Sequence, residues 1–359
     1  MRSVFKFRKY YAAYNSGLKI WLLPDFPAEN PLLNGMFYYI CEGLVLHFRH
    51  IFKPRNVAHN MKKILAIIIL FISNFSFCQL RAVIIDSETK SVIPYVNIWI
   101  ENENIGTTSN EKGEFSIDIT SGKFLILSSL GYEKKRIEIS SISEKIVLSP
   151  KITELNEVII SSTKKQKEIV IGKFNDLDVG YYYASFDKPE IKARYFPFDS
   201  SYSKTPYLNK LKFRIYSNIK NAKFNVRIYS IGENGEPKNP IYNKNIIGIA
   251  KKGTENIELD LSELDIMFPK NGVFISYEWL IIPENVFKAS FPIKDSKKRI
   301  EKIMYEPKVG LLPSETDENS WTYKNGKWEK VKAFDTKTNH PKEYINKFGL
   351  LAIEMTLTN

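Results

Sequence analysis

Carboxylates are the first residues in this sequence that could do chemistry, because a glycosidase needs only two Asp or Glu side chains at a suitable separation. Glu278 is the best single candidate. It precedes Trp279 in the apolar segment Val273–Leu280, and an acid beside an aromatic ring on a strand can lie in a cleft. A solvent-facing strand position explains Glu278 equally well. Hydrolysis of a surface polysaccharide by paired carboxylates is therefore the alternative function.

Three aromatic residues around a predicted hairpin form a candidate ligand-binding site. Trp321 and Tyr323 precede Asn325-Gly326, and Trp328 follows this pair, which supplies the positive φ angles of a tight turn. Strand residues alternate in direction, so Trp321 and Tyr323 share one face and predict a flat platform of the kind that stacks on sugar rings. The competing interpretation is that the three rings close one end of a sandwich core, the more frequent role of aromatic side chains.

Metal and nucleophilic catalysis lack their usual residues. A zinc peptidase site needs three protein ligands, normally with two His. Both Cys and three of the four His lie within the first 78 residues, which leaves His340 in a polar turn before Pro341. No nucleophile elbow, phosphate loop or dinucleotide motif occurs. We therefore expect a protein that is not an enzyme, with no metal site and no cofactor.

An internal apolar segment predicts export. Met61-Lys62-Lys63 precedes the apolar run Ile64–Ile72, and the small residues Ser76 and Cys78 end the segment. This pattern is typical of a bacterial secretory signal peptide at residues 61–78. Such signals stand at the N-terminus, so residues 1–60 are interpreted as an over-extended start, with a membrane-associated leader as the alternative. The mature chain would lie in the periplasm, on the outer-membrane surface or outside the cell, without a transmembrane span.

The charge of the predicted mature chain is ordinary. The whole sequence carries 52 basic and 40 acidic residues, a formal charge of +12, whereas the part after residue 78 carries 42 and 37, a charge of +5. The one dense basic run, from Lys294 to Lys302, is interpreted as a solvated loop or helix face. We therefore expect no nucleic-acid partner.

Period-two alternation and closely spaced turn residues predict seven short strands between residues 79 and 150. Phe115, Ile117 and Ile119 alternate inward on one of them. Gly113 can adopt the positive φ of a tight turn, and Gly131 lets Tyr132 turn its ring onto the sandwich edge. These features predict one small β-sandwich.

Several motifs in this region carry a resemblance to a known family. They are Val83-Ile84-Ile85-Asp86, Ile93-Pro94-Tyr95-Val96-Asn97-Ile98, Gly106–Phe115, Ser129-Leu130-Gly131-Tyr132 and Leu155-Asn156-Glu157-Val158. Over about residues 80–158 the chain resembles the carboxypeptidase regulatory-like domain. The resemblance implies an accessory, non-catalytic sandwich of Ig/transthyretin-like type, which Bacteroidetes use widely as the first module of secreted and outer-membrane proteins. Related domains precede the plug of TonB-dependent receptors, so partnership with an outer-membrane transporter is a further alternative.

The rest of the chain predicts a second β-sandwich. Residues 151–187 are interpreted as a connecting segment. From residue 188 to 359, longer segments alternate in character, such as Phe213 and Ile215 against Arg214, or Phe274, Ser276 and Glu278 against Tyr277. Roughly ten half-buried antiparallel strands fit a larger jelly-roll-like sandwich. The sequence thus predicts an all-β, exported, non-enzymatic binding or scaffolding protein, whose partner is a cell-envelope protein or glycan.

Overall fold

The computed structural model describes residues 79–151 and 167–359, except residues 104, 120, 121, 187, 294, 295, 297, 325 and 337–339, and two strands near the start of the chain. The chain divides into two compact units, residues 1–76 and 77–359. In the first unit, β1 (Phe7–Ala12) and β2 (Lys19–Pro24) pair in antiparallel fashion. The predicted signal peptide at residues 61–78 lies outside the described residues.

The second unit begins with a small β-sandwich. Its described strands are β3 (Gln79–Asp86), β4 (Asn97–Ile100), β5 (Gly106–Thr108), β6 (Glu114–Asp118), β7 (Phe124–Ser128), β8 (Lys135–Glu138) and β9 (Lys145–Leu148), with a 3-10 helix at Ile139–Ser141. One sheet has the order β6-β3-β9, and the other has the order β5-β4-β7-β8. The β3–β9 pair is parallel, and the other pairs are antiparallel. The predicted seven-stranded sandwich is confirmed.

Alternation of side chains builds the core of this first sandwich. Phe115 and Ile117 in β6 are buried, whereas the residues on either side of them are exposed. Ile84, Ile98 and Leu127 come from different strands and are fully buried in the same cluster. Burying a side chain of this size contributes about 1.5–3 kcal/mol, so one apolar face per strand suffices to hold the two sheets together.

The larger second sandwich follows. The described strands of its first sheet are β10 (Glu168–Ile171), β11 (Tyr181–Ser185), β13 (Tyr207–Ser217), β17 (Gly253–Asp260), β19 (Val286–Pro292), β20 (Arg299–Ser314), β23 (Phe348–Leu351) and β24 (Ile353–Thr358). Those of its second sheet are β12 (Ile191–Phe196), β14 (Ala222–Ile231), β15 (Pro237–Pro240), β16 (Ile246–Ala250), β18 (Val273–Trp279), β21 (Trp321–Lys324) and β22 (Lys327–Lys330). Short 3-10 helices lie at Asp176–Asp178, Ser200–Lys204, Ser262–Leu264, Pro283–Asn285 and Lys342–Tyr344.

Both sheets of the second sandwich are antiparallel. The eight-stranded sheet follows β10-β24-β13-β20-β11, with β17 beside β13 and with β19 and β23 beside β20. The seven-stranded sheet follows β15-β14-β18-β12-β21-β22, with β16 beside β14. The all-β class and the larger antiparallel sandwich are confirmed. The strands number fifteen among the described residues rather than the predicted ten, and β10 and β11 come from the segment predicted as a connection.

Aromatic residues fill the space between these two sheets. The rings of Phe224 and Tyr277 stack with their centroids 4.7 Å apart, and Trp279 meets Tyr277 edge to face at 4.7 Å. The buried Tyr277 hydroxyl donates to the carbonyl oxygen of Pro307 at 2.7 Å, so its polar group is satisfied. This core faces the inner side of β18.

All seven residues of β18 are buried. On its outer side the first sandwich contacts Glu278 through Asn97, whereas Phe274 packs against Tyr195, Tyr229 and other residues of the second sandwich. The backbone N–H of Ile281, just after β18, donates to Oγ1 of Thr108 at 3.1 Å, and the Thr108 N–H donates to the Ile281 carbonyl at 3.3 Å. Tyr95 of the first sandwich packs with Leu280 and Ile282 in one buried cluster. The sequence predicted half-buried strands here, but β18 is buried on both faces, because the first sandwich packs on the Glu278 end of its outer face and aromatic side chains of its own sheet cover Phe274.

The dense basic run also differs from its prediction. Lys294 and Lys297 fall outside the described residues, and the run continues from Arg299 to Lys302 as the first part of β20. From Arg299 to Lys302 this segment is therefore an exposed strand, not a helix face.

Candidate functional site

A cleft of about 480 Å³ opens where the first sandwich meets the second. Aromatic rings and cations dominate its wall. The rings are Trp99, Tyr132, Tyr229, Tyr323 and Trp328, and the cations are Lys151, Arg227 and Lys238. Asparagine and serine side chains complete the lining at Asn97, Ser128, Ser129, Asn239 and Asn243. None of the described residues that line the cleft is Asp or Glu, so the cleft favours an anionic or neutral ligand over a cation.

A buried ion pair lies beneath the floor of the cleft: Arg227 lines the cleft, and Glu278 lies behind it. Arg227 Nε donates to Glu278 Oε2 at 2.5 Å, and Arg227 Nη2 donates to Oε1 at 2.9 Å, which is a bidentate arrangement. The side chains are 5% and 0% exposed. Alternation in β14 and β18 places both on the outer face of the seven-stranded sheet, since Val226 and Ile228 point into its core.

Two amides complete the shell around the Glu278 carboxylate. Asn225 Nδ2 donates to Oε2 at 2.8 Å, and Asn97 Nδ2 of the first sandwich donates to Oε1. The carboxylate therefore accepts four hydrogen bonds, one of them from another domain. A general acid must carry a proton and reach its substrate. In the structure, four donors hold the Glu278 carboxylate in place, and its side chain is 0% exposed.

The charge state of the floor follows from these contacts. Burial has the largest single effect and lowers the pKa of Arg227, but the Glu278 charge, the neighbouring Tyr229 and the hydrogen bonds to both together raise it by more, so the guanidinium pKa ends above its ordinary value. Burial raises the pKa of Tyr229, against the opposing effect of the Arg227 charge, and burial also raises the pKa of Tyr323. The cleft therefore presents a paired guanidinium and neutral phenols near neutral pH.

The structure brings Tyr323 and Trp328 together across the β21–β22 hairpin. They stand opposite each other in the β21–β22 register, with ring centroids 5.2 Å apart at 62°. Trp99 of the first sandwich meets Tyr323 edge to face at 6.1 Å, and Tyr229 meets Trp328 at 5.5 Å. The rings form an edge-to-face row rather than one flat platform.

Trp321, the third predicted ring, packs in the same aromatic cluster but outside the cleft lining. Its indole Nε1 donates to Asn319 Oδ1 at 3.0 Å, and Lys330 Nζ lies 5.2 Å from the ring centroid. Trp321 therefore supports the wall behind Trp328, which corresponds to the packing role considered for these rings.

Sequence reasoning missed Trp99 and Arg227. Trp99 is the outward residue of β4 between buried Ile98 and Ile100, so an exposed tryptophan on a strand was the available signal. Arg227 is the one charged residue in a fully buried stretch of β14 that also contains the polar Asn225. A charge inside such a strand indicates a buried partner, but the sequence does not name that partner.

The predicted turn histidine is half-buried. His340 packs 4.4 Å from the ring centroid of Phe334 and 5.5 Å from that of Tyr181. Within the described ranges, no three or more His, Cys, Asp or Glu side chains come together as a metal site. In the same part of the chain, no helix has the length and apolar character needed to span a bilayer.

The first sandwich matches a known protein family. Residues 81–160 match the family model described as the CarboxypepD_reg-like domain. The first sandwich is a carboxypeptidase regulatory-like domain. The predicted resemblance over about residues 80–158 is thereby confirmed, and Trp99, Asn97 and Tyr132 of the cleft belong to this regulatory-like domain.

Other comparisons add little. No curated protein matches the chain. A solved structure of infectious bursal disease virus, Gx strain, is similar with a TM-score of 0.21 and 8% identity, covering 74% of this chain and 61% of that chain. The VP2 subviral particle of that virus gives a TM-score of 0.22 and 9% identity, covering 74% and 59%. The chain spans less than two thirds of these structures, and the TM-scores support no inference from them.

Proposed function

We propose that this protein is an exported, non-enzymatic binding protein of the cell envelope, and that its ligand site is the cleft beside the regulatory-like domain. One observation carries the proposal: a cleft of about 480 Å³ has five aromatic rings and three cations in its described lining. A cavity of this size accommodates a small organic ligand or a few sugar units. Rings from both domains line it, so neither domain alone makes the whole site.

The lining favours an acidic carbohydrate as the ligand. Aromatic rings contact the apolar faces of sugars, and the Asn and Ser side chains offer donors and acceptors to hydroxyl groups. Lys151 is exposed, so its charge is accessible to a carboxylate or sulfate on the sugar. Lys238 is 48% exposed at its side chain and pairs with the exposed Glu233 at 3.1 Å, so a ligand anion would compete with Glu233 for it. Arg227 adds positive potential from the floor, although Glu278 neutralises most of it.

Two features support export. The first described strand of the regulatory-like domain, β3, begins at Gln79, directly after the predicted cleavage point, so removal of residues 1–78 would take no described strand from either sandwich. The sequence after residue 78 has no Cys, so an oxidising compartment would neither form nor break a disulfide in this part of the chain. The absence of an enzyme role is supported by Glu278, which is 0% exposed and held by four donors.

Calorimetric titration of the purified protein tests the ligand class. We expect an oligomer of galacturonic acid to bind about tenfold or more tightly than a neutral galactose oligomer of equal length, a difference of about 1.4 kcal/mol or more. The Lys151→Ala/Lys238→Ala variant should lose most of this preference. Lys251→Ala/Lys252→Ala, which removes the same charge from exposed positions outside the cleft, should keep it.

The same oligomers separate binding from hydrolysis. We expect no reducing ends to appear when the wild-type protein is incubated with either oligomer. Reducing ends released by the wild type and lost in Glu278→Gln would replace the binding role with the hydrolase alternative. Equal affinity for both oligomers, or no affinity for either, would overturn the acidic-carbohydrate proposal.

A further inference from the structure

A hairpin formed by β19 and the start of β20 extends beyond the eight-stranded sheet. Residues 299–303 of β20 pair with β19 alone, whereas pairing with β11 begins at Tyr305. All five of these residues are exposed. In the described part of the chain, the outer half of the hairpin is thus a two-stranded ribbon without a third strand or a covering layer.

One face of this ribbon carries large apolar side chains, with Lys302 among them. Residues that stand opposite each other in an antiparallel pair share a face, so Phe291 and Ile300 lie together. Ile300 is 46% exposed, and Ile293 just beyond β19 is 42% exposed. Phe186, 43% exposed, lies nearby, because Lys302 Nζ is 6.0 Å from its ring centroid. Exposed large apolar side chains gathered in this way mark an interaction surface.

The same ribbon is strongly basic. Its described residues include the exposed cations Lys288, Lys298, Arg299 and Lys302, against the single acid Glu301. None of the four cations forms an ion pair with a described residue. Arg299 donates to Ser290 Oγ at 2.8 Å and to the Ser290 carbonyl at 2.6 Å, which fixes its guanidinium along the neighbouring strand. The positive charge therefore remains available to an anionic partner.

We propose that this hairpin docks on an anionic lipid surface, with Phe291, Ile293 and Ile300 entering the interface and the four cations contacting headgroups. Apolar side chains beside uncompensated Lys and Arg are the combination that binds charged bilayers. A second copy of the chain is disfavoured, since it would oppose like charges. A lipid surface requires no complementary groove on the protein.

Vesicle co-sedimentation of the purified protein tests this proposal. We expect binding to vesicles that contain phosphatidylglycerol, weak binding to pure phosphatidylcholine, and a decrease as salt is raised. Ile293→Ser/Ile300→Ser and Lys298→Glu/Lys302→Glu should each reduce binding about tenfold. Ile249→Ser/Met267→Ser is the matched control, because these residues are 55% and 56% exposed elsewhere and their replacement should leave binding unchanged.

Three results would overturn the proposal. They are absence of binding to phosphatidylglycerol vesicles by the wild type, equal binding by the hairpin variants and the control, and binding to soluble polyglutamate but not to the vesicles. The last result would assign the hairpin to an acidic polypeptide instead. The cleft variant Lys151→Ala/Lys238→Ala should sediment like the wild type, so the outcome is independent of the carbohydrate titration.

Discussion

At the scale of single residues, Arg227 and Glu278 behave as one unit. Desolvating two charges is costly, and the bidentate contact with two supporting amides offsets that cost only while both partners are present. The pair lies where β14, β18 and the regulatory-like domain meet. Its role is to fix the relative position of these parts rather than to add net stability.

A double-mutant comparison tests this interpretation. We expect Arg227→Met to lower the free energy of unfolding by about 3–5 kcal/mol, because Glu278 would remain buried without its counter-charge. Arg227→Met/Glu278→Met should cost clearly less than the single change. Urea denaturation followed by tryptophan fluorescence measures both values. A cost below about 1 kcal/mol for Arg227→Met would mean that the ion pair is not structurally coupled.

The sequence singled out Glu278 but could not name its partners. Arg227 is 51 residues away and Asn97 is 181 residues away. Their meeting depends on a register that sets Asn225 opposite Glu278, and on the docking of a separate domain. By contrast, the contact between Tyr323 and Trp328 can be derived from the sequence, because a short hairpin fixes the register of the two strands that it joins.

At the scale of elements, Asp86 ties the end of β3 to the loop between β7 and β8. Its Oδ1 accepts the backbone N–H groups of Glu88 and Thr89 at 2.7 and 2.8 Å, and its Oδ2 accepts the Tyr132 hydroxyl at 2.8 Å. Two family motifs that are distant in sequence thus meet in one contact. The Thr89 N–H and the Tyr132 hydroxyl lower the pKa of Asp86, and burial with the Asp86 hydrogen bond raises the pKa of Tyr132 to about 12.

This contact predicts a pH-dependent contribution to stability. A carboxyl whose pKa is lower in the folded state than its ordinary value of 3.8 stabilises the fold above that value. The contribution is lost as pH falls through the folded-state pKa. We therefore expect Asp86→Asn to lower the urea midpoint at pH 7, and the difference from wild type to shrink at acid pH. As a control, the exposed Asp118→Asn should leave the urea midpoint unchanged both at pH 7 and at acid pH. A decrease in midpoint for Asp86→Asn that is the same at both pH values would contradict the charge-based explanation.

Elements with one buried face were predictable, and elements with two were not. Phe115 and Ile117 alternate with exposed residues, so the strand β6 and its inner face follow from period two. Glu278 and Ser276 have the same alternation in β18 but are fully buried. Asn97 of the regulatory-like domain and Arg227 contact Glu278, and Ser276 Oγ donates to the Arg227 carbonyl at 3.0 Å. The β10 strand was missed as part of the second sandwich because its partner, β24, lies at the other end of the sequence.

At the scale of the whole molecule, the two sandwiches are joined by several kinds of contact. Tyr95 packs on Leu280 and Ile282, and its hydroxyl donates to Glu111 Oε1 at 2.9 Å. Lys223 of the second sandwich pairs with the same Glu111 carboxylate. When an interface of this kind is buried and well packed, the two domains that it joins unfold together.

We therefore expect residues 79–359 to unfold as one cooperative unit. Scanning calorimetry should give a single transition, with equal calorimetric and van't Hoff enthalpies. Leu280 is fully buried in the cluster between the sandwiches, so Leu280→Ala should cost about 2–5 kcal/mol and split the transition into two. Leu125 is equally buried but lies inside the core of the first sandwich. Leu125→Ala should therefore lower the melting temperature and leave a single transition, because the contacts between the sandwiches stay intact. Two transitions in the wild type would show that the contacts around Tyr95 and Glu278 do not couple the domains, and the cleft between them would then open without unfolding either sandwich.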